Sequence, residues 1–212
     1  MQKYYDPINR RLVFIKQSRR KADEKFWDSH WSHYSDKDFA KDVKKKNRFV
    51  LYYTNKYLPK GLKVLEGGCG KGGKVYSLHN NGYDAYGVDY ATNTVSKVNQ
   101  AVPELKITTG DVRKLDFDDH FFDGYWSLGV IEHFVDGYDA ILSEMNRVIK
   151  EGGYLFLTVP SMSIIRKLKA ALGMYTHFEN IELIRDSFYQ FAFSDGNIIN
   201  DFTENGFDLI AH

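Results

Sequence analysis

Val64-Leu65-Glu66-Gly67-Gly68-Cys69-Gly70-Lys71-Gly72-Gly73 runs from the end of an apolar strand into a glycine-rich turn and then into a helical pattern. Glycines at 68, 70 and 72 remove Cβ where the backbone must turn sharply, and they let a ligand lie against the main chain. The helix that follows offers unpaired N–H groups to the same ligand. The stretch therefore reads as a nucleotide-type cofactor loop. Taken as Gly68-x-Gly70-x-x-Gly73, with Asp89 twenty-one residues beyond Gly68, it also satisfies the dinucleotide fingerprint, in which the acid binds a ribose hydroxyl. The loop by itself leaves NAD in play.

Outward from the loop, strand and helix patterns alternate, which is the signature of a parallel sheet covered on both faces. Residues 62–66 read as a first strand, 72–80 as a helix with Val75 and Leu78 inward and Asn81-Gly82 as its cap, and 84–89 as a second strand. Residues 92–101 read as a helix, 105–109 as a third strand, 121–127 as a fourth, and 138–149 as a helix with Ile141, Leu142, Met145 and Val148 on its apolar face. Glu151-Gly152-Gly153 turns the chain into a fifth strand over 154–159, and Pro160 stops it. A helix over 195–205 and a sixth strand over 206–211 follow. The expected fold class is α/β, a Rossmann-like doubly wound, mostly parallel sheet with helices on both faces. Such sheets bind ligands outside the carboxyl ends of their strands, and acids fall there one after another: Glu66, Asp89, Asp111. Each acid alone is explained by a turn or a solvated strand end, but the succession is not.

Leu65-Glu66-x-Gly68-Cys69-Gly70-x-Gly72 resembles the first motif of the class I S-adenosylmethionine-dependent methyltransferases. The resemblance spans 62–160 well and 188–211 loosely, at the level of a family. It implies S-adenosylmethionine as cofactor, with Gly68, Cys69, Gly70 and Gly72 forming the loop and Glu66 facing the methionine ammonium. Asp89, followed by Tyr90, would take the ribose hydroxyls. Asp111 would accept from the adenine amino group, the Val112 N–H would meet the ring, and Leu128 and Gly129 would lie beside the methionine portion. The Glu-His pair in Leu128-Gly129-Val130-Ile131-Glu132-His133-Phe134 recurs in relatives with many different substrates, so a structural role is expected of His133. If a general base is used, His133 is the best-placed candidate. Some relatives that methylate quinone precursors carry a metal-binding carboxylate three residues before this Glu. Gly129 stands there, so no metal is expected. The family fold also has a seventh, antiparallel strand for which no residues remain after 211, so a natural continuation past His212 is expected.

The reading is thus a single-domain methyltransferase moving a methyl group to oxygen or nitrogen of a small-molecule acceptor, sugars and lipid-linked compounds included. The rivals are an NAD(P)-dependent oxidoreductase, against which stand the acid at 66 and the Gly110-Asp111 pair after the third strand, and a non-catalytic cofactor-binding or nucleic-acid-binding module. At 212 residues the chain buries a core without staples, and its single cysteine forms no internal disulfide. Cys69 fits a tight turn and has no expected nucleophilic role. With an opening that has no apolar leader, these features point to the cytoplasm. Charge is uneven: residues 1–60 carry 16 Lys/Arg and 7 Asp/Glu, residues 61–212 carry 13 and 21. The basic front has helical spacing and reads as a solvated face rather than a nucleic-acid surface.

Residues 1–34 show no clear periodic element but hold an aromatic group at 26–34, and Ser35 and Asp38 open a helix that Pro59 and Gly61 close. Residues 1–60 are read as a helical, aromatic cover segment in which Trp27, Trp31 and Tyr34 shield the ligand. Residues 61–212 are read as the catalytic domain, with 161–193 as an acceptor-side insertion. Within the insertion, Ile164, Ile165, Leu168, Ala171 and Leu172 recur at helical spacing beside Arg166, Lys167 and Lys169. That segment reads first as a lid, then as a plain surface helix, and last as a contact with an anionic membrane.

Overall fold

A computed structural model describes all residues except 17–23, 32–35, 179, 181, 183 and 212. In chain order the elements are β1 (Gln2–Asp6), β2 (Arg11–Ile15), α1 (Glu24–Trp31), α2 (Asp36–Val43), α3 (Arg48–Tyr57), β3 (Lys63–Gly67), α4 (Gly73–His79), β4 (Asp84–Asp89) and α5 (Thr92–Ala101). They continue with β5 (Lys106–Thr109), β6 (Phe122–Leu128), α6 (Asp139–Val148), β7 (Ile149–Thr158), α7 (Ile164–Ala171), β8 (Thr176–His177), β9 (Phe188–Ala192) and α8 (Asp195–Glu204). Two compact units result, one from Glu24–Leu128 with Ser143–Leu157, the other from Met1–Asp23, Gly129–Leu142 and Thr158–His212. Among the described residues, no helix is long and apolar enough to cross a membrane.

The first unit holds a five-stranded sheet in the order β5-β4-β3-β6-β7. β3 pairs in parallel with β4 and with β6, and β4 in parallel with β5, so the expected crossover architecture is present. Four strands and the helices α4 and α5 stand within a residue or two of the sequence reading. β7 begins five residues earlier than expected: the turn read at Glu151-Gly152-Gly153 is inside the strand, where Gly152 takes φ +74°. Val64 and Ile107 of the sheet pack with Val75 and Leu78 of α4 and Val98 of α5 in one core. Trp126 stacks on Phe156 at 4.4 Å between ring centroids, and its Nε1 donates to Thr54 Oγ1 at 3.0 Å. Burying the indole and satisfying its one polar atom go together here.

The single helix expected to run to Tyr57 is two helices. Asn47 interrupts it, because its side-chain oxygen accepts from the Val50 N–H at 3.0 Å as the N-cap of α3. Its own N–H donates to Ser77 Oγ at 2.8 Å. Ser35 and Tyr34 lie outside the described residues.

The second unit carries a sheet that the sequence reading missed, in the order β8-β1-β2-β9. β1 and β2 form an antiparallel hairpin, Gln2 opposite Ile15 and Asp6 opposite Arg11. Asp6 holds the turn together. Its carboxylate accepts from the Ile8 and Asn9 N–H groups at 3.1 Å each, from Asn9 Nδ2 at 2.8 Å and from Arg11 Nε at 3.0 Å. β9, from the stretch read as an insertion, pairs antiparallel with β2. The sixth strand expected over 206–211 is not formed: those residues carry no strand pairing, and Leu209 and Ile210 are exposed.

Candidate active site

In the first unit the glycine-rich loop leaves β3 and is pinned to β4. The Gly68 and Cys69 N–H groups both donate to the Val88 carbonyl, at 2.8 and 3.0 Å. Gly68, Gly70 and Gly72 have φ of +73°, +50° and +73°, a region open to glycine at little cost. Gly72 is the residue from which α4 starts, and having no side chain it makes no cap bond of its own. A Cβ would strain the turn at all three positions, and at Gly72 it would also collide with Ile107.

Glu66 is fully buried, yet only one of its oxygens has a partner. Oε1 accepts from Lys74 Nζ at 2.7 Å, and Oε2 has no hydrogen-bond partner among the described residues. An orphaned carboxylate oxygen inside a protein is costly unless a ligand completes it. Burial raises the Glu66 carboxyl above the usual carboxylate range, and Lys74 opposes the shift. A cationic donor such as the methionine ammonium matches that oxygen, so the residues fit the cofactor.

Asp89, at the end of β4, is buried with both oxygens engaged. Oδ2 accepts from the Gly70 N–H at 2.7 Å and Oδ1 from the Ala91 N–H at 2.9 Å. The acid thereby ties the glycine loop to the next strand end. Burial raises its carboxyl above the ordinary value, and these two backbone bonds pull the other way. Each oxygen retains acceptor capacity, which two ribose hydroxyls would use. Tyr90 follows at the surface.

Asp111 is differently placed. Arg113 grips it through Nε at 3.0 Å to each oxygen and through Nη2 at 2.6 Å, and these bonds hold its carboxyl below the usual range. Acceptance from an adenine amino group must use the acid's remaining lone pairs or displace Arg113. Val112 is buried and Leu128 half-buried. The Cys69 thiol is buried and pushed well above its usual pKa by that burial, with Glu66 and Asp89 adding to it, so it is no nucleophile.

Two residues missed in the sequence, Lys74 and Asp28, complete this region together with Trp31, which was expected to cover the ligand. Lys74 partners Glu66 from the first turn of α4. Trp31 of α1 lies against Gly70, where an added Cβ would stand 3.2 Å from its ring. Asp28, also on α1, caps α5: it accepts from the Thr94 N–H at 3.0 Å and from Asn93 Nδ2 at 2.8 Å. No local pattern announces contacts 66 residues apart in the chain.

The second unit holds Gly129 and His133. Gly129 has φ +70°, and its N–H donates to the Thr158 carbonyl at 3.1 Å. His133 Nδ1 donates to the Tyr189 carbonyl at 2.7 Å, and burial lowers the ring's pKa. The imidazole is thus neutral near pH 7, with its lone pair on Nε2. Its neighbour Glu132 is buried, with Oε2 unpartnered and its carboxyl pushed up to about 7 by burial. Above the unfolded value the charged form is penalised only in the folded state. Stability should therefore fall by on the order of 3 kcal/mol as pH rises from about 4.5 to about 7. Denaturant melts across that window, compared between wild type and Glu132→Gln, should show this slope in the wild type and its loss in the variant.

A parallel sheet with a glycine loop and acids at consecutive strand ends is the Rossmann-like arrangement in which nucleotide-type cofactors bind. Comparison with known proteins makes the class specific. Residues 65–157 match the Methyltransferase domain family. A 2-methyl-6-phytyl-1,4-hydroquinone methyltransferase of Synechocystis is 32% identical over 143 residues, which are 62% of this chain and 45% of that protein. A demethylmenaquinone methyltransferase of Staphylococcus aureus is 32% identical over 125 residues, 56% of this chain and 52% of that protein. The chain thus spans about half the length of the curated relatives it matches. Among solved structures, magnesium protoporphyrin IX methyltransferase from Synechocystis with bound SAH has a TM-score of 0.61 at 18% identity, covering 89% of this chain and 91% of that one. Residues 65–157 are thus similar to methyltransferase domains.

Proposed function

We propose that the protein transfers the methyl group of S-adenosylmethionine to oxygen or nitrogen of a small-molecule acceptor. The unpartnered oxygen of buried Glu66 carries this reading. It asks for a cationic donor beside a glycine loop, which a methionine ammonium supplies and a dinucleotide pyrophosphate does not. Gly68, Cys69, Gly70 and Gly72 present backbone to the cofactor, and Asp89 accepts from the ribose. Asp111 and Val112 serve the adenine, and Leu128 and Gly129 the methionine portion. When bound, S-adenosylmethionine supplies an already activated methyl group on a sulfonium.

The chain's task is then to hold an acceptor in line and keep water out. His133 Nε2, unprotonated near neutral pH, can take a proton from an acceptor that still carries one. We place α1 as part of a cover over the glycine loop, in keeping with Trp31 against Gly70, and 161–193 as the acceptor-side part; residues 2–15, read with the cover in the sequence, are instead strands of the second unit's sheet. The curated relatives are named for a hydroquinone and a demethylmenaquinone, so hydroquinones are the first acceptors to assay, followed by sugars and lipid-linked compounds. The test is transfer of a labelled methyl group from S-adenosylmethionine to these pools. Label appearing in one acceptor class supports the reading, and hydride transfer from a reduced nicotinamide with no labelled product overturns it.

A further inference from the structure

α7 in the second unit is set with its apolar side outward. Ile164, Ile165, Leu168 and Leu172, with Met174 just beyond the helix, are 58% to 84% exposed, and no α7 residue is buried. At about 100° per residue the four aliphatic residues fall on one face. Lys169 borders that face on one side and Lys167 on the other, while Arg166 and Ala170 lie opposite. The opposite side is the one that meets the body of the unit. Ala170 packs on a cluster of Leu12, Phe14, Met162 and Ala192, and Arg166 donates to the Ser161 carbonyl at 2.6 Å with its guanidinium 5.6 Å from the Phe14 ring centre. The Ser163 hydroxyl caps the helix start, accepting from the Arg166 N–H. Residues 161–178 contain no Asp or Glu.

We infer that α7 is a docking helix for an anionic lipid surface, its aliphatic row entering the headgroup boundary and Lys167 and Lys169 reaching lipid phosphates from its two flanks. Aliphatic residues between lysines whose stems run along the same surface are the arrangement that lets charged heads stay at the interface. Protein interfaces instead favour aromatic residues, methionine and arginine and are depleted in lysine, and the exposed row has a single methionine and no aromatic member. A second copy meeting this face would set two lysine pairs against each other. Lys167 also contacts Asp195 at 3.2 Å, an exposed pair that a lipid phosphate can replace.

The test is flotation of the full chain with phosphatidylcholine vesicles and with vesicles containing about 30% phosphatidylglycerol, at low and high salt. Anionic vesicles should retain the protein at least tenfold better, with the advantage falling in high salt. Leu168→Asp should abolish retention, and Lys169→Glu should weaken it severalfold, at unchanged melting temperature. Equal retention on both vesicle types, none on either, or a concentration-dependent dimer that Leu168→Asp dissociates would overturn the inference. Because the readout is vesicle binding, its failure leaves the methyl-transfer reading standing.

Discussion

Asp89→Ala should lower affinity for S-adenosylmethionine about a hundredfold or more. Two losses combine in this variant. The ribose hydroxyls lose a charged acceptor, where hydrogen bonds contribute about 1.5–3 kcal/mol each. The loop also loses its tie to β4, since the Gly70 and Ala91 N–H groups both donate to this carboxylate. An expected cost of about 3 kcal/mol corresponds to roughly a hundredfold in dissociation constant. Asp89→Asn keeps one acceptor oxygen and the size of the group, so its loss should be smaller. Calorimetric titration of wild type and both variants measures this directly. Equal affinities in all three would show that Asp89 serves only the fold.

Gly67→Ala should have the largest effect on stability. Gly67 ends β3, and a Cβ there would overlap the hydroxyl of Tyr125, with the ring's Cζ only 2.7 Å away. Tyr125 is fully buried on β6, the neighbouring strand, so the ring has nowhere to go. Overpacking in cores costs about 1–3 kcal/mol and occasionally more, and overlap with a fixed ring belongs at the upper end, about 3 kcal/mol or above. The Tyr125 hydroxyl is itself buried without a hydrogen-bond partner among the described residues. Tyr125→Phe alone should therefore be neutral or mildly stabilising, by up to about 1 kcal/mol. The double variant should be more stable than the sum of the two single changes allows. Urea melts of the four proteins close the cycle, and strict additivity would deny the contact.

The two units differed in how far the sequence disclosed them, for physical reasons. The parallel sheet was readable because its strands are short apolar runs bounded by glycine and by acids at the ligand end, as with Glu66 and Asp89. The hairpin at 2–15 was not, because β1 buries only Asp6 and shows little apolar alternation. The usable signal was local: Asp6-Pro7-Ile8-Asn9 is strong turn chemistry directly ahead of Leu12-Val13-Phe14-Ile15. The break before α3 hung on one Asn that both caps a helix and receives support from Ser77, thirty residues away. Residues 206–211 have strand composition, but a strand also needs an edge to pair with, and composition does not supply one.

In the site the same division holds. Glu66 and Asp89 announced themselves by position after successive strands. The clamp of Arg113 on Asp111, the support of Glu66 by Lys74, and the contact of Trp31 with Gly70 depend on how side chains meet in three dimensions. The first lies close in sequence, and Trp31 was expected as part of a cover, though not against a particular glycine.

Native mass spectrometry of the freshly purified chain, before and after addition of S-adenosylmethionine or NAD, tests the central claim most directly. The account predicts a stoichiometric complex with S-adenosylmethionine or its demethylated product, and none with NAD under the same conditions. A retained or readily formed NAD complex, with no response to S-adenosylmethionine, would contradict it.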